Sequence, residues 1–348
     1  MCKLFLIPAL ICVWAFNMAH AQIAGINTLS VLDMPVSARS AGLGIDYLSL
    51  YSNDINVAVD NPSMIYRCPD NSLSFNYVNM FGGGNFASIH YGFSTKRMGS
   101  FVAGMRYLGY GSFEGYDEFE QPIGEFTASD LVFSVGWCMA IDSNYSLGAN
   151  LKPVFSKYES YEALALALDV AASYVSDSRR FAATIMARNV GAQVMTFDNS
   201  VEKIPFEVSV SCSYKLQNAP FRFFFSAVEL QHWNLRYEDP FNPWTQYDPF
   251  SGETTTIGKA EAFADNLARH LQVGVELNLG KALFVRVGYD YRQGREMAAV
   301  NSLNTSGFSF GLGFSVKGFD FAYARNNYHL GQAPNFISIT TSLNRFFK

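Results

Sequence analysis

Charge is scarce in this chain: Lys, Arg, Asp and Glu make up 16% of its 348 residues and leave a formal net charge of −5. A nucleic-acid partner needs a concentrated basic face, so the composition excludes that class. Cysteine is scarce too, with 5 in all. Beyond the N-terminal leader only Cys68, Cys138 and Cys212 remain, too far apart for a CxxC metal or redox motif, and an odd number argues against a disulfide framework. Long apolar runs are missing after the leader. The best stretch, Leu164 to Ala172, is short and carries Asp169, so any membrane insertion must be by strands.

Motifs of chemistry are missing as well. His90, His232, His270 and His329 form no spaced metal motif with one another, with Cys or with a carboxylate, and read as polar tips on a barrel. There is no G-x-S-x-G elbow, phosphate loop or dinucleotide fingerprint. The expectation is a non-enzyme with no catalytic residue, cofactor or metal, although a Ser and His meeting only in space would leave no motif. Glu114, Asp117, Glu118 and Glu120 cluster in one connection, where a solvated acidic loop is expected ahead of a calcium site.

What the chain has is alternation. Leu271, Val273, Val275 and Leu277 interleave with Gln272, Gly274, Glu276 and Asn278; Phe308, Phe310, Leu312, Phe314 and Val316 interleave with Ser309, Gly311, Gly313 and Ser315. Phe206, Val208, Val210, Cys212 and Tyr214 likewise alternate with Glu207, Ser209, Ser211 and Ser213. Such segments have one greasy side and one wet or small side. Many reach the roughly 9 to 11 residues a tilted strand needs to cross hydrocarbon, beyond the usual soluble strand. Tight turns near Lys96–Gly99, Asp142–Asn144, Ser176–Arg179, Gln217–Pro220, Leu279–Lys281 and Lys317–Phe319 alternate with longer links: Gly111–Thr127, Gly191–Lys203, Arg236–Ala268, Gln293–Ser306 and Asn326–Asn335. The Gly82–Asn85 and Lys157–Ser160 links are shorter. The reading is all-β: a transmembrane antiparallel β-barrel of about fourteen strands in a bacterial outer membrane, both termini periplasmic, long loops at the surface. Tyr107, Trp137, Tyr145, Tyr174, Tyr214 and Tyr289 fall near the ends of apolar faces, as interfacial rings would.

Three parts follow. Residues 1–21, with Lys3, an apolar run from Leu4 to Phe16 and Ala19-His20-Ala21, read as a signal peptide; Cys12 lacks a lipoprotein box. Residues 72–348 form the barrel. Residues 22–71 hold Pro35, Arg39, Gly42, Gly44, Asn61 and Pro62, which imply turns and irregular backbone, and Ile45, Leu48, Leu50, Ile55, Val57 and Val59, too apolar for a solvated linker. A plug inside the barrel is favoured over a periplasmic tail, and the small inward residues of Ala163–Ser173 leave room for one. The Arg236–Ala268 link reads as a loop without a strand of its own. Prolines stiffen it, and Tyr237, Phe241, Trp244, Tyr247 and Phe250 offer area either for a surface partner or for a lid over the barrel mouth.

Some segments are familiar. Ala38-Arg39, Gly42-x-Gly44 and Asn61-Pro62, with Ser74–Asn79, Gly124–Asp130, Gly148–Pro153, Pro220–Phe223 and Ser306–Gly311, make the chain resemble the PorV/PorQ group, and within it the PorQ type, of the type IX protein-secretion system. That group is related to the fatty-acid channel FadL, and the resemblance spans the mature chain. It implies a FadL-like barrel in a Bacteroidetes-type outer membrane, part of the attachment complex with PorU, PorV and PorZ that joins cargo to surface lipopolysaccharide. The implied role is non-enzymatic anchoring of a PorZ-like surface protein, with outer-membrane lipid and lipopolysaccharide as further contacts. The alternatives are a FadL-like transporter of hydrophobic solutes and a PorV-like cargo shuttle. No site residue is carried over from the group.

Overall fold

The alternating segments become strands that close on themselves. In the computed structural model the described residues are 28–68, 70–95, 97–198, 201–236, 245–247, 254–256, 258–280, 282–297, 305–327 and 333–346. The strands are β1 (Ser72–Asn79), β2 (Asn85–Thr95), β3 (Gly99–Tyr116), β4 (Pro122–Ala140), β5 (Tyr145–Tyr158), β6 (Tyr161–Val175), β7 (Phe181–Met195), β8 (Glu207–Lys215), β9 (Phe221–Ala227), β10 (Thr245–Tyr247), β11 (Thr254–Thr256), β12 (Leu271–Leu279), β13 (Leu283–Asp290), β14 (Phe308–Val316), β15 (Phe319–Asn326) and β16 (Asn335–Ser342). All but β10 and β11 form one closed barrel of neighbouring antiparallel strands, in which β9 pairs with β12. Closure is by β1 on β16, from Ser72 opposite Ser342 to Asn79 opposite Asn335.

The register keeps one face greasy. Phe310 lies opposite Val287, and Leu312 opposite Val285 and Tyr323, all pointing outward, while Ser309, Gln272 and Glu276 point in and are buried. A slip of one residue would turn every one of these side chains around. Phe310 and Leu312 remain about half exposed, at 50% and 52%, and no water-facing sheet leaves so continuous an apolar belt uncovered; lipid is its solvent. Tyr145 and Tyr174 pack at 5.1 Å beside the tight turns, where ring-bearing side chains meet the bilayer interface.

The walls differ in height. Strands β3 to β7 have 18, 19, 14, 15 and 15 residues, against 9 in β8, 7 in β9 and 8 in β16. Residues Gly111–Thr127 are therefore not a long loop, as their composition implies. The β3–β4 ladder continues past a bulge between Gly109 and Ser112 to Tyr116 opposite Pro122, with Phe113 stacked on Phe126 at 5.4 Å. Above the bilayer the outward face no longer has to be apolar, so the alternation that marks a lipid-facing strand fades while the pairing persists. Strand β7 similarly runs on to Met195.

Inside lies the N-terminal segment. It comprises a 3-10 turn at Ser30–Leu32, helix α1 (Ala38–Leu43), helix α2 (Ile55–Asp60) and a 3-10 turn at Pro62–Arg67. Ser37 caps α1 by accepting from the Ser40 amide at 3.3 Å, and Asp54 caps α2 by accepting from the Asn56 amide at 3.0 Å. Six-residue helices do not stand alone in water, so the wall holds them. Ile45, Leu48, Leu50, Ile55, Val57 and Val59 are all buried, making the segment a plug. Its backbone touches the wall at glycines: a Cβ on Gly42 would lie 2.9 Å from the Gly311 Cα, and one on Gly288 would lie 1.9 Å from the Leu43 carbonyl oxygen.

Candidate functional site

The filled lumen is layered. Next to the long links, inward side chains are apolar: Val78, Phe86, Leu108, Val132, Val154 and Phe336 surround Leu29, Val31 and Leu32 of the plug tip. Strict alternation predicts polar or small residues on the inner face throughout; here the face is greasy because its contact is the plug rather than water. Full burial of each tip side chain is worth roughly 1.5 to 3 kcal/mol. A second apolar layer lies toward the tight turns, where Leu43, Leu48, Leu50 and Met64 meet Val175, Ala182 and Phe224.

Between the two layers runs a belt of charge. Arg39 on α1 forks onto Glu276, with Nε to Oε2 at 3.1 Å and Nη2 to Oε1 at 2.9 Å, and its Nη1 reaches Asp54 at 3.2 Å. Arg286, opposite Glu276 in the ladder, donates to the same carboxylate at 2.8 Å. Across the lumen Lys152 lies 2.7 Å from Asp169, and Arg188 lies 3.3 Å from both Glu207 and the Leu32 carbonyl. Thus one guanidinium ties the belt to the plug tip. Charges with this little access to water need such partners, since an isolated ion here would suffer a large desolvation penalty.

Arg106 departs from that pattern. It is 4% exposed, yet among the described residues it has no ion pair, and its Nε has no hydrogen-bond partner. Beside it His90 lies buried across Gly104, with both ring nitrogens unpartnered. Among the charges that act on Arg106, Asp60 on α2 exerts the strongest opposing field. Burial pushes its carboxyl up to about 7, opposed by the fields of Arg106 and Arg188.

The singled-out plug residues gather in this lumen. Arg39 is the ionic hub; Gly42 and Gly44 end α1 against the wall, Gly44 at φ +60°. Asn61 donates to Thr184 at 3.0 Å, and Pro62 opens a turn that lies over Gly148. Pro35 is half-buried just before α1. The proposed partner residues do not assemble into a described surface: Tyr237, Phe241, Trp244 and Phe250 lie outside the described residues, and Tyr247 belongs to β10.

That link is not strandless, as its prolines imply, because β10 pairs with β11 and helix α3 (Lys259–Arg269) follows. Asp265 on α3 accepts from Arg236 at 3.2 Å, Arg269 at 3.0 Å and Tyr291 at 2.9 Å, which fixes the base of the link. Burial works against the charged form of Asp265, but the Arg269 and Tyr291 hydrogen bonds hold its carboxyl below the usual range. Trp233 and Phe263 pack with tilted rings 5.8 Å apart on this base and stay exposed. His90 and His270 are not polar tips: both are buried, His270 with its ring nitrogens 2.7 Å and 3.2 Å from the Val228 and Trp233 carbonyls. Glu114, Asp117 and Glu120 are exposed, Asp117 accepting from amides of its own turn.

Compared by sequence, the chain matches no protein-family model and no curated protein. Compared by fold, it is similar to solved outer-membrane barrels. A TodX monoaromatic hydrocarbon channel carrying the deltaS2 mutation superimposes with a TM-score of 0.51 at 10% identity, covering 90% of this chain and 98% of that one. A second variant, the TodX deltaS2S3 mutant monoaromatic hydrocarbon channel, gives 0.50 at 10% identity over 88% and 98%. A Pseudomonas aeruginosa FadL homologue gives 0.49 at 11% identity over 88% and 98%. The fold and its filled lumen define a plugged β-barrel of the outer-membrane kind, closed by antiparallel strands. The two TodX variants are monoaromatic hydrocarbon channels, and the likeness of this chain to them is one of fold.

Proposed function

We propose that this protein is a non-enzymatic outer-membrane barrel that takes small apolar solutes into the chamber around Leu29–Leu32, with the plug as its gate. One observation carries the reading: the inward side chains of that chamber, Phe86, Leu108 and Val132 among them, are apolar, whereas a lumen for water or ions is lined with polar groups. The plug tip occupies the place an apolar solute would take, and its three side chains are displaceable by a ligand of like chemistry. The fold shared with the TodX hydrocarbon channel supports this reading. The test is uptake of a long-chain fatty acid into vesicles whose outer leaflet is lipopolysaccharide. Uptake above protein-free vesicles, raised when Leu32→Asp unseats the tip, is expected; rates equal to protein-free vesicles for both proteins would remove the channel from consideration.

The second reading is anchoring: a type IX attachment role in which the long link holds a PorZ-like surface protein beside PorU and PorV, with lipopolysaccharide nearby. It rests on the PorV/PorQ resemblance and on the fixed base at Asp265, which would present the link to a partner from a rigid footing. A cargo-shuttling role of the PorV kind would use the same surface. Deleting residues 239–252 and measuring recovery of the complex by affinity capture decides it: unchanged recovery would count against the link as the anchor.

A further inference from the structure

At the tight-turn mouth of the lumen a cleft of about 420 Å³ is lined by Arg179, Arg180, Lys215, Arg222 and Tyr51. Three of the four cations carry a planar guanidinium. Lys215 and Arg222 lie opposite each other on β8 and β9, and the Lys215 amide donates to the Arg180 carbonyl at 2.9 Å, so the three wall cations share one frame. The fourth comes from the β6–β7 turn: Arg179 sits at φ +56°, and its guanidinium lies 4.6 Å above the Tyr51 ring of the plug. Arg67 covers the same ring at 4.8 Å.

Arg222 feels the field of Glu276 without pairing with it, and donates to Ser213 at 3.3 Å. Among the described residues none of the four lining cations is in an ion pair, and the acid of the nearest turn, Asp177, accepts instead from Asn144 at 2.6 Å. Four cations around one concave space repel one another, and a multivalent anion would remove that repulsion. Guanidinium forks match the oxygens of a phosphoryl group two at a time, with Ser178 and Gln217 at the rim as neutral donors. A cleft of this size suits a small solute.

We propose that this mouth is a binding site for a phosphoryl-bearing anion, either a soluble phosphorylated solute or the headgroup of a phospholipid at the barrel rim. It is independent of the apolar chamber, which lies at the opposite end of the lumen.

Titrating full-length protein in a zwitterionic detergent with pyrophosphate, at constant ionic strength set by chloride, tests the site by calorimetry. Saturable binding is expected, weakened at least tenfold in Arg179→Gln and Arg180→Gln. Both changes are at partly exposed positions, and retention of the heat-modifiable barrel band on gels confirms folding. Lys317→Gln in the other cleft at this mouth, where Asp320 and Arg345 also line the wall, should leave binding unchanged. Displacement of pyrophosphate by dihexanoyl phosphatidylglycerol would assign the headgroup, and resistance to it the soluble solute. Heat no greater than chloride alone produces, or equal affinity in wild type and both arginine variants, would overturn the site.

Discussion

Halfway along the lumen Arg39, Lys152, Arg188 and Arg286 each sit against a carboxylate, whereas at the tight-turn mouth Arg179, Arg180, Lys215 and Arg222 share a cleft without one among the described residues. Access to water separates the two sets. In the belt an unpaired ion is stranded, as Arg106 is, so each of these four pairs removes that penalty, and the Arg39–Glu276 pair holds plug to wall. At the mouth three of the four cations reach solvent, which screens them, and they stay available to something outside the chain. Charge in the belt is structure; charge at the mouth is recognition.

The contrast is broken most severely at Glu276. Glu276→Gln keeps the shape but leaves Arg39 and Arg286 facing each other without an anion, and the expected loss is roughly 3 to 5 kcal/mol in urea unfolding from detergent. Arg39→Met should do less harm, since Arg286 still satisfies Glu276 and a flexible apolar chain replaces the other partner. If both variants unfold like wild type, the belt does not hold the plug.

The plug tip comes next. Leu32→Ala opens a void against Leu108, Val132 and their neighbours, and a loss of about 2 to 4 kcal/mol is expected for a buried leucine of this kind. An apolar ligand entering the void should restore part of the loss, so toluene should raise the melting temperature of Leu32→Ala more than that of wild type. Equal shifts would mean that the chamber does not receive apolar solutes.

A smaller effect follows from Asp60. Its carboxyl titrates near 7 in the plug against an ordinary 3.8, so the folded state keeps a proton that the unfolded chain releases. Stability of the plug through this group is greatest at low pH, falls as pH rises from about 4 to about 7, and is flat above. Hydrogen exchange of the Ile55–Asp60 amides, corrected for the intrinsic rate, should show that loss of protection in wild type. Asp60→Asn should lack it, and a variant keeping the same slope would assign the titration elsewhere.

Much of this was legible in the residues, for physical reasons. A lipid-facing strand must alternate over a full crossing, so Leu271 to Leu279 and Phe308 to Val316 declare themselves, and the short span between Leu279 and Leu283 sets Glu276 opposite Arg286. The chamber also left a signal, apolar residues on both faces at Leu131-Val132-Phe133 and Val154-Phe155, though the alternation rule passes over it. Other features depend on how distant segments meet. Nothing near Arg39 indicates that it reaches Glu276, because that contact depends on how the plug threads the barrel. Lys259–Arg269 is rich in helix formers, yet the prolines and aromatics ahead of it give the whole interval the composition of a single loop.

The mouth gives the smallest effect and the sharpest contrast with the belt. Arg180 is in no ion pair among the described residues, so Arg180→Gln removes repulsion without stranding a partner. Stability should stay within about 0.5 kcal/mol of wild type, as for other surface changes. Any shift should be a slight gain at low salt that vanishes by roughly 1 M, where the screening length falls to about 3 Å. Glu276→Gln should keep most of its deficit across the same salt range, because its charges lie where ions do not reach. Parallel salt dependence in the two variants would mean that both sets of cations are equally solvated, and the division of the lumen into a holding belt and a recognising mouth would fail.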